Sequence, residues 1–368
     1  MPHPVYTGPR AMTASSPPRA AHPYYMHDAI YAQPGVLRLV ERGNETALSA
    51  AAGVLRGASR VWLAGVGSSW HAALVGEHWL AGLGKLGAKA RAVIASEWTA
   101  YGPPPEPGEA LVAMSHRGSR VAAEAVTLAS GRGAVGVGVT GKGVTLAGVT
   151  YTLHTADVET SGAHTVGYTA ALAALALLAA EVGGADAARR ALGAIPDLLA
   201  LLLGQESWDD LGARLAARRR FWFVGGGPNA ATAREGALKL SETAWLPAVA
   251  IEPESFLHGP SAALEADDVL VLIAPPGPAR ARALDVARAA RAIGAEVLVL
   301  AREDDREAAA VAGETIALPE VDEALSPILA VVPLQLLAYH VAVARGRNPD
   351  LLRADDPAHA RARAALAS

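Results

Sequence analysis

Cysteine is absent from this chain of 368 residues, and lysine is scarce. The lack of cysteine excludes disulfides, thiolate metal sites and a cysteine nucleophile. Only four of the 32 basic residues are lysines, namely Lys85, Lys89, Lys142 and Lys239. A buried amine can lose its proton and a guanidinium cannot, so a lysine in an arginine-rich chain can mark a position that needs an amine. With four lysines, chance placement is an open alternative.

Charge and hydropathy exclude two classes of partner. The formal net charge is −4 and no cluster of Lys and Arg stands out, so we expect neither nucleic acid nor an anionic membrane surface as a partner. The longest uncharged apolar run, residues 170–180, is too short to cross a bilayer and predicts a buried helix. Because no signal sequence is recognisable, we expect a cytoplasmic protein.

The chain alternates short apolar strands with helices, which is typical of doubly wound α/β folds. We predict a disordered, proline-rich leader over 1–22, a first domain over 23–197, a second over 198–345 and a tail over 346–368. The first domain opens with two helices, and we expect the first of them to break at Pro34. A helical linker, which we expect to be interrupted at Pro196, leads into the second domain. Segments 111–118 and 270–277 align at a constant offset, which indicates an internal duplication. The predicted fold is therefore two mostly parallel five-stranded sheets in a flavodoxin-like arrangement.

Two strand-to-helix loops of the first domain carry small polar side chains. They read GVGSS at 65–69 and SHRGSR at 115–120. Serines at a helix N-terminus suit a phosphate monoester, although they can equally serve as helix caps. The first loop lacks the third glycine of a dinucleotide fingerprint. The second domain has Ala-Pro-Pro at 274–276 instead, so we expect only the first domain to hold an anion.

A helix predicted from Glu235 carries Glu235, Lys239 and Glu242 on one face, because they stand at i, i+4 and i+7. A solvated salt-bridge stripe is the alternative interpretation of that face. His258 precedes Gly-Pro in a pinned loop and is a candidate proton carrier.

His71 and His78 are seven residues apart, which matches no zinc spacing. Core or surface histidines explain them better, and we predict neither a metal nor a cofactor.

Several segments together resemble a known family. They are EGALKLSE followed by LHGP, VPLQLLAYHVA, MHDAIYAQP, GSSWHA and IASEW. From Met26 to Ala344 they are similar, at near-constant spacing, to the isomerase half of glucosamine-6-phosphate synthase, a tandem of two sugar isomerase (SIS) domains. Nothing before Met26 resembles the glutaminase domain of that family, so we expect a free-standing double SIS protein.

The resemblance implies roles for individual residues. It makes Ser69 and Ser115 phosphate ligands, with Ser68 and His116 adjoining them. Glu242 becomes the base that moves a proton between C1 and C2, with Lys239 as its charge partner. His258 becomes the ring-opening group, supplied by the neighbouring subunit of a homodimer.

The chain also departs from the family pattern. The family's SQSGET reads SHRGSR here, so Arg117 and Arg120 replace a serine and a threonine that hold phosphate. Either arginine could pair with phosphate bidentately. The family's VASTK reads GAHTV at 162–166. The tail lysine that forms an imine with the ketose is replaced by Pro357, which argues against synthase chemistry.

We therefore expect an enzyme that acts on an amino-sugar phosphate, with a glucosamine-6-phosphate deaminase or isomerase type of reaction. Such chemistry needs a phosphate anchor, an acid and one base. Two alternatives stay open, namely a sugar-phosphate sensor without turnover and a fructosamine-phosphate deglycase. The presence of both Glu242 and His258 favours an enzyme over a sensor.

Overall fold

The structure, a computed structural model, describes residues 17–204 and 208–367. Most of the predicted leader, residues 1–16, lies outside this range, whereas Arg19 already pairs with Asp28 at 2.6 Å. The helices are α1 Tyr25–Val40, α2 Glu45–Gly57, α3 Ser68–Ala81, α4 Ala95–Tyr101, α5 Arg120–Gly131, α6 Val166–Gly183, α7 Asp186–Leu203, α8 Trp208–Leu215, α9 Asn229–Ala244, α10 Pro253–Leu257, α11 Arg280–Ile293, α12 Arg306–Val311, α13 Ser326–Ala344 and α14 Pro357–Ala367. The strands are β1 Val61–Gly65, β2 Ala90–Ile94, β3 Ala110–Ser115, β4 Val135–Thr140, β5 Tyr151–His154, β6 Phe221–Gly225, β7 Ala248–Ile251, β8 Val269–Ile273, β9 Glu296–Arg302 and β10 Glu314–Leu318.

The strands form two five-stranded sheets of the same topology. Their orders are β2-β1-β3-β4-β5 and β7-β6-β8-β9-β10, and the strand pairs are parallel. This is the flavodoxin-like order 2-1-3-4-5 written twice. The predicted fold of two doubly wound parallel sheets is confirmed. The carboxyl ends of β1 and β3 are neighbours, which places the two serine loops side by side.

Two apolar helices form the centre of the molecule. α6 packs against α1, α2 and α3, and α13 packs against α8 and α9. Both are long and apolar enough to cross a membrane, but 83% and 89% of their most apolar windows are buried inside the protein. Burial on all sides explains why neither helix has a polar face. The prediction of a buried helix over 170–180 is confirmed.

The predicted helix breaks at two prolines are wrong. α1 runs through Pro34 and α7 through Pro196. At Pro34 the helix lacks one backbone N–H, which would have donated to the carbonyl of Ile30. The fully buried Gln33 replaces that donor, because its Nε2 lies 2.9 Å from the Ile30 oxygen.

Candidate active site

The first serine loop is the turn from β1 into α3. Ser68 and Ser69 form the first turn of α3, where backbone N–H groups lack partners inside the helix. A Cβ on Gly65 would lie 2.5 Å from the backbone of Ser69. Glycine at this position therefore lets the helix start directly above the end of the strand. The result is a helix N-terminus suited to an anion.

A pocket lies between this loop and the one that follows β3. It brings together four of the predicted site residues. Its lining consists of Ser68, Ser69, Ala72, Met114, Ser115, His116, Val139, Thr155, His164, Gly167, Tyr168 and Ala171. Its free space of about 20 Å³ holds a single water-sized group. A phosphate group must therefore move side chains or lie across the mouth of the pocket.

The two arginines of the second loop do not line this pocket. Arg117 donates from one terminal nitrogen to the carbonyls of Glu159 and Ser161, at 2.6 and 2.9 Å. Arg120 is exposed and faces Glu124 at 3.7 Å. Arg117 thus ties two loops together, and Arg120 lies along the surface of α5. Their predicted contacts with phosphate would require both guanidinium groups to move.

Two imidazoles face each other in the pocket. The rings of His116 and His164 lie 4.9 Å apart, edge to face. Burial first, and then neighbouring Arg117, lowers the pKa of His116 to about 4. Burial first, and then neighbouring His116, lowers the pKa of His164 to about 2. Both rings are therefore neutral at pH 7, and the pocket gains no charge from them.

The tautomer of His116 is fixed by its environment. Its Nε2 accepts the backbone N–H of Glu159 at 3.1 Å, so the neutral ring carries its proton on Nδ1. That Nδ1 is buried and has no hydrogen-bond partner within 17–204 and 208–367. His164 was not among the predicted site residues. The signal that could have found it was the replacement of a serine by histidine in GAHTV.

A buried ionic chain joins this pocket to helix α9. Glu235 is fully buried and accepts the Ser68 hydroxyl at 2.8 Å. The Nδ1 of His71 lies 2.7 Å from the second oxygen of Glu235, and Lys239 Nζ lies 3.3 Å from the first. Lys239 then donates to Glu242 at 2.6 Å. The prediction of one shared face is confirmed, and burial of Glu235 and Lys239 excludes a solvated stripe.

The charges on this chain are mutually dependent. Burial acts to raise the pKa of Glu235, but Lys239 and then His71 outweigh it and hold that pKa at about 2. Burial acts to lower the pKa of Lys239, but Glu235 and Glu242 outweigh it and raise that pKa above its ordinary value. Lys239 is therefore an ammonium group that fixes two carboxylates. It is not a neutral amine. Glu242 is the end of this ionic chain that solvent can reach, with a quarter of its side chain exposed.

The sequence matches a known domain family. The SIS domain family matches residues 214–345. Glutamine–fructose-6-phosphate aminotransferase (isomerizing) of Pyrococcus horikoshii is 33% identical over 347 residues, which are 90% of this chain and 57% of that protein. This chain is a tandem SIS-domain protein. It corresponds to the isomerase half of such relatives and spans little more than half of their length.

Solved structures show the same fold for the whole tandem. The C-terminal domain of glucosamine-fructose-6-phosphate aminotransferase from Francisella tularensis superposes with a TM-score of 0.77 at 20% identity, over 89% of this chain and 97% of that one. Tagatose-6-phosphate ketose/aldose isomerase from Escherichia coli gives 0.76 at 22% identity, over 92% and 97%. At these identities the likeness concerns the fold. The fold of these solved structures therefore covers both halves of this chain.

His258 of the SIS tandem lies outside the pocket of its own chain. Its side chain is 72% exposed, and its Nε2 lies 2.7 Å from Glu254. Glu254 also pairs with Arg282. A single chain therefore unites the serine loops with Lys239 and Glu242, and it leaves His258 at the surface.

The equivalent position of the second SIS domain is filled by an acid. Gly277 follows β8 as Gly118 follows β3, and a Cβ there would overlap the carboxylate of Glu323. That carboxylate also approaches Gly227, in the turn after β6. Burial raises the pKa of Glu323. The second domain thus has a carboxylate between its two loops, and its Ala-Pro-Pro at 274–276 lacks the serine hydroxyl and the arginine charge of the first domain. Both features support the expectation that only the first domain holds an anion.

Proposed function

We propose that this protein interconverts the aldose and ketose forms of an amino-sugar phosphate, with a deaminase or isomerase type of outcome. Its relatedness to isomerizing aminotransferases supports the general class. The single observation that carries the proposal is the chain from Ser68 through Glu235 and Lys239 to Glu242. This ionic chain links the helix terminus that we propose for the phosphate to the partly exposed carboxylate of Glu242.

In the proposed reaction the phosphate lies against the N-terminus of α3 and the hydroxyl groups of Ser69 and Ser115. The open-chain sugar then extends towards α9. Glu242 takes the proton from C2 of the aldose and returns it to C1, through an enediol or enolamine, while a proton passes from the C2 substituent to O1. When that substituent is an amine, the product is a C2 imine, which water hydrolyses to the ketose and ammonia. Lys239 positions Glu242 by a hydrogen bond of 2.6 Å, and Glu235 keeps Lys239 in place. Anchoring the phosphate holds the sugar carbons beside the base, so the proton is transferred within one enzyme–substrate complex.

We further propose that the working unit is a cytoplasmic homodimer in which His258 opens the sugar ring in the site of the partner subunit. Its exposure in one chain supports this role, because a group that serves another subunit must lie at the surface. Pro357 stands at the start of α14, where the family has its imine-forming lysine. Loss of ammonia or simple isomerisation therefore fits this chain better than amination through an imine.

The test is to incubate the protein with hexosamine, hexose and fructosamine phosphates and to measure ammonia and ketose together. Ammonia with ketose identifies a deaminase, and ketose alone an isomerase. Release of an amine from the fructosamine phosphate identifies a deglycase. Binding of a phosphosugar without any turnover would refute the enzymatic proposal and favour the sensor.

A further inference from the structure

Two guanidinium groups lie over one indole ring at the end of helix α9. The Arg347 and Arg353 carbons Cζ are 4.2 and 4.7 Å from the centroid of Trp245. Trp245 directly follows α9 and stands three residues after Glu242. Both arginines belong to the segment between α13 and α14. Stacking on an indole positions a guanidinium without neutralising its charge.

The charge of Arg347 is unpaired. In the part of the chain that the structure describes, its guanidinium has neither a hydrogen bond nor an ion pair, and its Nε is buried without a partner. Arg353 forms a long ion pair with Asp356, in which Nε and the carboxylate are 3.5 Å apart. Within the described residues, this buried Nε also lacks a hydrogen bond. A half-buried cation is stabilised most by a bound oxyanion. Within the described residues, the positive charge of Arg347 is therefore not balanced by an anion in contact with it.

The backbone around the stack is strained. Four non-glycine residues in 17–204 and 208–367 have a left-handed φ, and three of them are Trp245, Leu352 and Arg353, at 59°, 47° and 62°. The fourth, Lys85, is elsewhere. Left-handed backbone in bulky residues is costly and concentrates at ligand clamps and active sites. The fold therefore holds these three residues in place against their local preference.

The same segment contacts the serine-loop side of the site. The carbonyl of Asp350 accepts the N–H of Gly162 at 2.8 Å. Gly162 begins the GAHTV segment, which carries His164 into the pocket. The segment that contains both arginines therefore packs beside the loop of His164. The indole on which these arginines stack belongs to Trp245, which directly follows the helix of Glu242.

We propose that Arg347, with Arg353, binds a second oxyanion of the substrate, a carboxylate or a phosphate at the end opposite to the one held by the serine loops. This deepens the proposed function and rests on it. The substrate class would be a sugar phosphate that carries another anionic group on or near C1. Planar guanidinium groups match both oxyanions by paired N–H donors.

The experiment compares two ligand pairs by calorimetry at constant ionic strength. One pair is 6-phosphofructosyl-glycine and its uncharged glycinamide. The other is fructose 1,6-bisphosphate and fructose 6-phosphate. Each pair is measured with the wild-type protein, Arg347→Met, Arg347→Lys and Ser115→Ala. Methionine keeps an apolar stem against Trp245 and removes the charge, whereas lysine keeps the charge and removes the planar fork.

We expect the wild type to prefer the doubly anionic member of one pair by about 10- to 100-fold, the size of a charge-assisted contact. The pair that shows the preference identifies the oxyanion. Arg347→Met should bring the ratio close to one, Arg347→Lys should retain part of it, and Ser115→Ala should weaken both members while leaving the ratio intact.

Four results would overturn the inference. A wild type without preference in either pair, or a preference that survives Arg347→Met, would remove the second site and leave the isomerase proposal intact. An Arg347→Met protein that melts earlier and loses affinity for both members by the same factor, so that their ratio is preserved, would assign Arg347 to folding. If none of the four ligands bound to the wild type while glucosamine 6-phosphate did, the second site alone would be refuted; if glucosamine 6-phosphate also failed to bind, the phosphosugar function would be refuted with it.

Discussion

Replacing Lys239 with methionine should reverse the way in which Glu235 makes stability depend on pH. In the wild type the pKa of Glu235 is held at about 2 although the carboxyl is fully buried. In Lys239→Met, burial is no longer outweighed by the ammonium group, so the pKa of Glu235 should rise above its value in the unfolded chain. The folded variant would then favour a protonated Glu235, and the folded wild type an ionised one.

The structure sets the magnitude. Across the 3.3 Å between Lys239 Nζ and Glu235 Oε1, the attraction is about 5 kcal/mol at an effective dielectric constant of about 20. Removing one partner of a buried pair typically costs about 3 to 5 kcal/mol. The depressed pKa of Glu235 corresponds to about 3 kcal/mol of stability. In the wild type this stability is present above the unfolded pKa near 4 and is lost as the pH falls towards 2.

The assay is urea unfolding of both proteins between pH 7 and pH 4. The free energy of unfolding of Lys239→Met should lie about 3 to 5 kcal/mol below the wild type at pH 7, and the gap should shrink as the pH falls, because Glu235 takes up a proton. The matched control is the same Lys239→Met change made in a Glu235→Gln background, where the gap between the two proteins should shrink far less with pH because neither carries the Glu235 carboxyl. A gap for the single variant that stays constant or widens on acidification would refute the coupling.

Four further predictions concern individual substitutions in the site and at the start of helix α1. Glu242→Gln should slow exchange of the substrate C2 hydrogen with solvent deuterium by about 10² to 10⁴-fold, measured by NMR, with ligand affinity within a few-fold of wild type; continued exchange would remove Glu242 as the base. Ser115→Ala should cost about 1.5 to 3 kcal/mol of affinity for a phosphorylated ligand by calorimetry, and equal weakening of an unphosphorylated analogue would make the serine merely structural. Mixing inactive His258→Ala with inactive Glu242→Gln should restore activity after subunit exchange, whereas a proven heterodimer without activity would place both groups in the site of one subunit. Asp350→Ala should lower the free energy of unfolding by about 0.5 to 2 kcal/mol, because Asp350 accepts the first two N–H groups of α1 at 2.9 and 2.8 Å; an unchanged urea midpoint would contradict that role.

The fold was largely predictable because its signals are local. Each apolar run followed by a glycine turn and a helix gave one strand of a parallel sheet, and the constant offset between the two halves gave the duplication. Strands β7 and β10 could not be placed because they are short edge strands with mostly half-exposed side chains. The helix through Pro34 was missed because its rescue depends on the side chain of Gln33. A neighbour that replaces a backbone donor leaves no periodic signal.

The candidate site was only partly predictable, because its decisive contacts are long-range. The spacing of Glu235, Lys239 and Glu242 predicted a common face, but burial of that face depends on α3 of the other SIS domain. Arg117 was predicted to meet phosphate because it replaces a phosphate-holding serine of the family, and its actual partners are two backbone carbonyls of a distant loop. Which partners a flexible guanidinium finds is decided by tertiary packing.

The carboxylate of Glu323 limits how many ligands the protein can hold. Duplication of a binding fold would ordinarily produce a protein with two sites. With two-fold pseudosymmetry, occupancy of one site could change the ligand affinity of the other. Here an internal acid stands between the loops after β6 and β8, where the serine loops of the other domain frame the pocket. A titration should therefore saturate at one phosphosugar per chain, with a simple hyperbolic isotherm within each subunit. Any cooperativity would then have to arise between the subunits of the proposed homodimer.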